Sequence, residues 1–396
     1  MYWGHGFLPR IHSGNAGPVD RCLEPPKLDG SVLELPWALV EAPWANRRPP
    51  LLEHLRSYGT QLLVDTQSWR YREEKTFAVQ KFATAPYAPR APLPDLSEKE
   101  FEDFVRRDLD AQANLGAGAY LVPGYVPRRR GDDSVDLTLA AVDTALKTVG
   151  GEIKPMPLIG FIGVHTRDFD AAYRLLEKLP YSLEAVYVQF TPVTPTSDAP
   201  GKLVAIAEFL LACRERGLDV IGGRLGAIGQ LLRGVGISAV DAGLGAGETF
   251  NFANAIRPPT KPGGGPNRGP VGPRMYVHQI ARSVFGRDWA RFASLPNIKG
   301  LLVCSLHCCR FRRFDEVLSR AGEHSLYGRI KEASDLNALP STVRAESVWN
   351  ELLKTRSTIA SINSALVDAG EVPIPDKHIA NYIATMARLL RKPEAA

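Results

Sequence analysis

The sequence contains no apolar run that approaches the ~20 residues needed for a membrane-spanning helix, so a membrane partner is not expected. Its first residues hold no continuous apolar core of a secretory signal peptide, and a cytoplasmic location is therefore expected. Five cysteines in 396 residues, three of them within 304–309, do not form the pattern of a secreted disulfide framework. The net charge of +5 permits an anionic partner without demanding one.

What the chain does contain is a series of eight short apolar runs, separated by segments with helical periodicity. Continuous, β-branched runs of this kind are typical of parallel strands that are buried on both faces. Eight strands with intervening helices predict an α/β fold, namely a (β/α)8 TIM-like barrel, with an open doubly wound sheet as the alternative. The predicted strands span residues 61–65, 119–123, 158–164, 185–190, 219–222, 237–241, 274–278 and 300–304.

Helix signals lie between these runs. Ser97 and Glu100 form a capping box that predicts a helix start, and Gly217 marks a helix end just before a strand. Further helices are predicted over 136–147, 168–178 and 202–214.

The composition divides the chain into three regions. Residues 1–50, rich in Pro, Gly and Trp, predict an irregular N-terminal arm, and residues 51–310 predict the barrel. Residues 311–396 predict a helical C-terminal region. The density of Pro and Gly in 257–273 forbids helix and strand, so a long loop on the catalytic face is expected there.

Two aspartates follow predicted strands at equivalent positions, Asp65 and Asp241. Since residues after the strands of a barrel face one shared pocket, the pair predicts a nucleophile and a general acid or base. A turn cap or an arginine pair is the structural alternative for either aspartate. The other strand ends supply candidate substrate-binding residues, which are Gln67, Ser68, Trp69, Tyr125, His165, Gln189, Gly223 and Arg224.

The cysteine-rich segment offers metal ligands. Cysteine and histidine are the preferred ligands of zinc, so the metal candidates are Cys304, Cys308, Cys309 and His324. Their spacing is not a regular CxxC pair, and a buried cysteine can also act as a small apolar side chain. The glycines at 222, 223, 226 and 229 lack the GxGxxG spacing, so no nucleotide cofactor is predicted.

Two basic clusters are candidates for contact with nucleic acid, and the second alternates with aromatic residues. Such surfaces bind phosphate backbones and stack bases, although a solvated face is equally compatible with the pattern. Their members are Arg128, Arg129 and Arg130 in one cluster and Arg310, Arg312 and Arg313 in the other.

Three segments together resemble the tRNA-guanine transglycosylase superfamily, which includes enzymes that modify DNA. In that family a strand ends in an aspartate followed by Ser-Gly-Gly-Phe-Gln, and here residues 62–65 run into Thr-Gln-Ser-Trp. A later strand, helix and strand of the family read Gly-x-Gly and then Gly-Val-Asp-x-Phe-Asp, and residues 222–226 and 236–241 keep that order. Residues 161–165 take the place of the family's Gly-Ile-Val-Gln-Gly strand, so the resemblance covers roughly residues 60–310.

The resemblance implies a barrel in which Asp241 attacks the ribose C1′ and Asp65 handles the proton. It also implies a guanine or 7-deazaguanine base, a tRNA or DNA partner, and a zinc ion. Three features depart from the family pattern. Gly-Gly after the first aspartate is absent, residues 242–248 replace Pro-Thr-Arg, and the cysteine spacing differs from Cys-x-Cys-x-x-Cys.

Two other functions remain open from the sequence. One is a metal-assisted barrel hydrolase that acts on a small substrate through His165, His278, His307 and Asp241. The other is a non-catalytic barrel that serves as a subunit of a nucleic-acid-modification or defence complex. A homodimer or a partner protein is compatible with each.

Overall fold

The computed structural model describes most of residues 3–392. The described residues exclude 5, 13–14, 24–32, 46–48, 130–131, 133, 152, 195–197, 245–249, 257–273, 305, 307 and 310–312 within that range. The predicted loop 257–273 therefore lies outside the described residues. Within the described ranges, none of the helices combines the length and apolar character needed to span a bilayer.

Eight parallel strands form the central sheet, and they follow one another around it in chain order. The last strand, β8, pairs with the first, β1, and a parallel bridge between Leu63 and Ala119 joins β3 to β4. The sheet therefore closes into a TIM-like barrel, which confirms the predicted fold class. The strands are β1 Phe7–Ile11, β2 Trp37–Glu41, β3 Gln61–Asp65, β4 Tyr120–Leu121, β5 Leu158–His165, β6 Ala185–Thr191, β7 Asp219–Gly223 and β8 Ala239–Ala242.

Helices surround the barrel and continue beyond it. An antiparallel hairpin of β9 Arg274–Val277 and β10 Arg282–Phe285 interrupts them after the barrel strands. The helices are α1 Ala16–Leu23, α2 Ala42–Ala45, α3 Pro49–Ser57, α4 Glu74–Phe77, α5 Gln80–Ala83, α6 Glu98–Asn114, α7 Ser134–Gly151, α8 Phe169–Lys178, α9 Pro200–Glu215, α10 Ile228–Gly234, α11 Phe252–Ala255, α12 Gly286–Ser294, α13 Pro296–Leu301, α14 Ala321–Asn337, α15 Ser341–Asp368 and α16 Lys377–Leu389.

Local signals placed several helices correctly. The Ser97 side chain accepts a hydrogen bond from the Glu100 backbone at the start of α6, so the predicted capping box is confirmed. Asp168 caps α8 in the same way, through the Ala171 backbone N–H. Gly217 adopts a φ of +86° after α9, a left-handed conformation that glycine takes without the steric cost of a Cβ.

The predicted N-terminal arm is wrong, because residues 7–11 and 37–41 form two strands of the barrel. The two last predicted strands are also not part of it. Residues 274–277 lie in the β9–β10 hairpin, and residues 300–301 end α13, which Pro296 begins. An apolar, β-branched run is compatible with a buried strand, a hairpin or a buried helix end. The segment 7–11 belongs to the barrel because it pairs with β8 and β2, and this pairing cannot be read from composition.

The predicted boundary at residue 310 also needs correction. Helix α14 packs against β1, α1 and α10, which is the position of the eighth helix of a barrel. Arg21 of α1 forms an ion pair with Glu323 of α14, with 2.6 Å between nitrogen and oxygen. The C-terminal region is helical as predicted, but its first helix belongs to the barrel wall.

The interior of the barrel has its own core, separate from the layer between strands and helices. Side chains two residues apart on a strand share a face, so Leu8, Leu63 and Ala239 point inward with the residues that follow them by two. Those residues are Arg10, Asp65 and Asp241. The apolar interior is therefore replaced by charge at the carboxyl ends of the strands, where barrel enzymes carry their active sites.

Candidate active site

Arg10 of β1 joins the two predicted catalytic aspartates. Its Nε donates to Asp241 Oδ2 at 2.7 Å, and its Nη1 donates to Asp65 Oδ2 at 2.6 Å. Its Nη2 donates to the Tyr187 hydroxyl at 2.8 Å. Burial alone would lower the pKa of Arg10, but Asp241, Tyr187 and Asp65 outweigh it and raise that pKa well above its ordinary value. Asp65 and Asp241 therefore meet around one buried cation.

Asp241 is fully buried and held from three sides. Its Oδ1 accepts hydrogen bonds from the Tyr187 hydroxyl at 2.9 Å and from the Arg224 backbone N–H at 2.7 Å. Gly223 makes the tyrosine contact possible, because a Cβ there would lie 2.4 Å from the Tyr187 hydroxyl oxygen. With Arg10 on Oδ2, Asp241 is both an arginine partner, as the structural alternative expected, and a carboxylate at the barrel mouth.

Asp65 is fixed by the turn that follows β3. Its Oδ1 accepts from the Gln67 backbone N–H at 2.8 Å, and Gln67 takes a left-handed φ of +58° to present that group. The Gln67 side chain in turn accepts from Arg70 Nε at 2.6 Å. The turn therefore orients the carboxylate and delivers a second arginine to the same face.

Glu41, at the end of β2, adds a third carboxylate. Arg224 Nη2 donates to Glu41 Oε1 at 2.8 Å, and Arg10 Nη1 lies 3.4 Å from the same oxygen. Burial alone would raise the pKa of Glu41, but Arg224 and Arg10 outweigh it and hold that pKa below its ordinary value. Burial and the nearby Arg224 lower the pKa of Arg70 to about 10. Three acids and three arginines thus balance in charge at the mouth.

Aromatic side chains cover this network. The Trp69 ring lies 5.0 Å from Phe250 and 5.8 Å from Phe252, measured between centroids. The Arg70 guanidinium carbon lies 4.5 Å from the Trp69 ring centroid and that of Arg224 lies 5.5 Å from Phe250. The three rings are buried, as is Asp241, so the carboxylate is closed to solvent in this conformation.

Gln189 is one of the unsatisfied polar side chains of the barrel interior among the described residues. It lies two residues beyond Tyr187 on β6, is fully buried, and neither its amide nitrogen nor its oxygen has a partner among the described residues. Leaving a buried amide unpaired costs about 1–3 kcal/mol per group, which marks the position for a ligand or water. Ser68 directly precedes Trp69, and the Ser68 Oγ accepts a hydrogen bond from the Gly124 backbone N–H.

Several predicted contact residues do not reach the mouth. The Tyr125 ring stacks on Phe101 of α6, on the outer side of the strands. His165 accepts a hydrogen bond from the Arg167 backbone and lines a small cavity with Arg129. Burial, followed by Arg167, lowers the pKa of His165.

The predicted basic clusters are only partly described. Arg128 forms an ion pair with Glu73, and the Arg313 backbone N–H donates to Glu316. The remaining members, Arg130, Arg310 and Arg312, lie outside the described residues, as does His307.

The sequence-based prediction missed Arg10, Glu41, Arg70 and Tyr187. A usable signal was present for one of them, because Trp37–Glu41 is an apolar run that ends in an acid, as Gln61–Asp65 is. Arg10 gave no such signal. It stands 231 positions from Asp241 in the chain, and no local pattern connects them.

A second cluster of reactive side chains lies where the segment between α13 and α14 meets α14. Cys309 Sγ lies 3.0 Å from His324 Nδ1, Cys308 Sγ lies 3.6 Å from the same nitrogen, and the two sulfurs lie 3.6 Å apart. Cys304 and His278 form a second group of potential metal ligands with His324. Tetrahedral zinc with Zn–S bonds of ~2.3 Å separates two sulfurs by ~3.8 Å, so this Cys/His cluster has metal-site geometry.

This cluster and the barrel mouth are separate. Among the described residues, the groups with metal-ligand spacing are those around His324, and neither contains Asp241 or His165. The metal-assisted hydrolase expected as an alternative combines Asp241 with His165, His278 and His307, and among the described members of that set His278 belongs to a group with metal-ligand spacing.

Comparisons with known proteins add little to this geometry. No protein-family model and no curated protein matches the chain. Among solved structures it is similar to the carboxyl transferase domain of pyruvate carboxylase from Rhizobium etli, with 11% sequence identity and a TM-score of 0.34. The match covers 99% of this chain and 62% of that one, so this chain spans less than two thirds of the neighbour's length. A likeness this low carries no functional argument.

Proposed function

We propose that this protein is a transglycosylase-like enzyme that exchanges a guanine-type base in nucleic acid, with Asp241 as the nucleophile. The observation that carries the proposal is the convergence of Asp65 and Asp241 on one guanidinium at the carboxyl ends of β3 and β8. Displacing a base develops positive charge at the sugar C1′, and carboxylates stabilise such charge. The site supplies two carboxylates and holds them rigidly.

Asp241 can act as the nucleophile because one of its carboxylate oxygens keeps a lone pair that no hydrogen bond uses. Its Oδ1 accepts two recorded hydrogen bonds and its Oδ2 accepts one, which leaves Oδ2 a lone pair for attack. That oxygen forms a bond to C1′, the bond from C1′ to the base nitrogen breaks, and the electron pair leaves with the base, which takes up a proton from solvent through Asp65. An incoming base reverses these steps and restores the carboxylate.

Recognition of the base falls to Gln189 and Trp69. The unpaired Gln189 amide offers one acceptor and two donors, which complement the mixed edge of a guanine. Trp69 offers a ring for stacking of an extruded base. Arg70 and Arg224, at the rim of the same mouth, supply positive charge for the adjoining phosphates.

The test is base exchange by the purified full chain. Radiolabelled guanine should enter either tRNA or duplex DNA in the presence of the enzyme, and a 7-deazaguanine should compete with it. The tRNA and DNA arms identify the substrate. If neither nucleic acid takes up label, and neither forms a covalent adduct with the protein, the proposed activity is wrong.

A non-catalytic barrel subunit is the second candidate function. Full burial of Asp241 and its three hydrogen bonds favour it, because a structural ion network needs no access for substrate. It predicts neither exchange nor adduct, and it predicts a stable complex with a second protein. The base-exchange and adduct assays on the purified chain therefore distinguish the two functions.

The Cys/His cluster is proposed to hold zinc. Cys308, Cys309 and His324 supply three ligands, and either Cys304 or His278 completes a tetrahedral set. The ion would link the segment between α13 and α14 to α14 itself and so stabilise the fold, as structural zinc does.

For this site we expect about one zinc ion per purified chain, as a closed tetrahedral set holds. Replacement of Cys309 by Ser, or of His324 by Ala, should remove the metal and lower the melting temperature. Elemental analysis and thermal unfolding measure the two effects. Cys213→Ser is the matched control, since Cys213 is equally buried but lies in α9. The assignment is contradicted if the wild-type protein is purified without metal, or if a chelator leaves its melting temperature unchanged.

A further inference from the structure

A cavity of about 560 Å³ lies outside the barrel, between α10 and the helices of the C-terminal region. Gln230 and Leu231 of α10 form one wall, and residues of α14 and α15 form the wall opposite. Small-molecule sites usually enclose ~300–1,000 Å³, so the space suits a ligand of modest size. Asp65 and Asp241 are not among the residues that line it.

The body of the cavity is apolar. Leu231, Leu336 and Leu352 approach it from three different helices. A ligand that fills this space therefore needs an apolar part, whose burial stabilises the complex by roughly 25 cal/mol per Å².

The lining of the cavity includes a half-buried acid, Glu332. The carboxylate of Glu332, on α14, accepts a hydrogen bond from the Tyr276 hydroxyl at 2.9 Å. Burial raises the pKa of Glu332 to about 7, although Arg329 acts in the opposite direction. Two oxygens with one recorded donor leave most of the acceptor capacity of Glu332 unused.

A second acceptor, Gln279, lines the same cavity. The Gln279 amide nitrogen donates to the Leu302 and Val303 carbonyls, at 3.3 and 3.1 Å, and this fixes its oxygen as an acceptor. That oxygen is buried and has no partner among the described residues. The cavity is therefore rich in acceptors and has room for donors.

The cationic side chains of the lining are already engaged. Lys331 pairs with Asp335 at 2.8 Å, and Lys354 lies 3.8 Å from Glu351. Each lysine thus has a carboxylate of its own, and Glu332 is left facing the cavity with a hydroxyl as its partner.

We propose that this cavity binds a small organic cation, an amine or amidine on an apolar body, whose N–H groups donate to Glu332 and Gln279. A charge-assisted pair in a partly buried site is about twice as strong as a neutral hydrogen bond. The site is independent of the base-exchange proposal, and its failure would leave Asp241 untouched.

Three ligands of one shape test the charge requirement. Benzamidine, benzamide and benzoate are titrated into the full chain by calorimetry. Benzamidine should bind at least about tenfold more tightly than benzamide, the equivalent of one charge-assisted hydrogen bond, and benzoate should not bind. Equal binding of all three, tighter binding of benzoate, or no binding of benzamidine overturns the proposal.

Two test variants and one control variant locate the site. Glu332→Gln keeps the side-chain shape and an acceptor for Tyr276, and it should weaken benzamidine binding by about tenfold. Glu351→Gln, on an exposed carboxylate at the same cavity, is the matched control and should change it less than about twofold. Leu352→Trp places a larger apolar side chain in the lining and should abolish binding by filling the cavity. Unchanged binding in both Glu332→Gln and Leu352→Trp places the ligand elsewhere and overturns the proposal.

Discussion

Replacement of Arg10 by methionine should destabilise the barrel by about 3–5 kcal/mol, the cost of breaking a buried ion pair by removing one partner. Methionine keeps an unbranched apolar stem like that of arginine, so the packing of the stem is largely retained while the guanidinium is removed. The change leaves Asp65 and Asp241 side by side without the cation between them, at 4% and 0% side-chain exposure. Urea denaturation, read by circular dichroism, gives the free energy of unfolding directly.

Three comparisons show whether charge is the cause. Arg106→Met removes an arginine from an exposed pair with Asp103 and should cost less than about 1 kcal/mol. Arg10→Lys keeps the charge but lacks the planar fork that reaches Asp241, Asp65 and Tyr187 together, so an intermediate loss is expected. Adding Asp65→Asn and Asp241→Asn to Arg10→Met removes both stranded charges and should restore part of the stability. An Arg10→Met protein as stable as wild type would contradict this account.

Replacement of Asp241 by asparagine should reduce base exchange by about a thousandfold or more, as removal of a covalent nucleophile does. Asparagine keeps the oxygen that accepts from Tyr187 and Arg224, so the local fold is largely preserved. It lacks the negative charge and the reactive lone pair. The measurements are label incorporation and recovery of a denaturation-resistant adduct between protein and nucleic acid.

Asp65→Asn is the matched control for this variant. It makes the same chemical change beside the same arginine, but at a carboxylate that is not assigned to attack. Exchange should fall in this variant as well, since Arg10 loses a partner, while the adduct still forms. Normal exchange by Asp241→Asn, or adduct formation by it, would remove the nucleophile assignment.

The site was predictable in part because its carboxylates sit at strand ends. Asp65 and Asp241 each follow an apolar run, and in a parallel barrel such ends converge. The sequence did not predict how close the two carboxylates lie, because they are brought together by Arg10, which donates a hydrogen bond to each. The Arg10 side chain lies on a strand, Phe7–Ile11, whose five residues give too short a pattern amid a Pro- and Gly-rich segment.

The same limit explains the errors in strand assignment. Residues 300–304 have the composition of a buried strand, yet Pro296 starts a helix that includes the first two of them. Residues 274–277 extend as predicted but pair with β10 instead of a barrel strand. Strand propensity describes how a segment fits a half-buried surface, and it does not specify the neighbour.

Local patterns predicted the barrel class, with an open doubly wound sheet as the alternative, and they predicted the caps at Ser97 and Gly217 and the strands that carry Asp65 and Asp241, because these features follow from periodicity and turn chemistry within a few residues. Three further features became visible in the folded chain: β1 closes the barrel, α14 is its eighth helix, and Arg10 joins the aspartates. Those features depend on contacts between residues far apart in the chain. A local pattern fixes the conformation of a segment, whereas packing and charge pairing choose its partner.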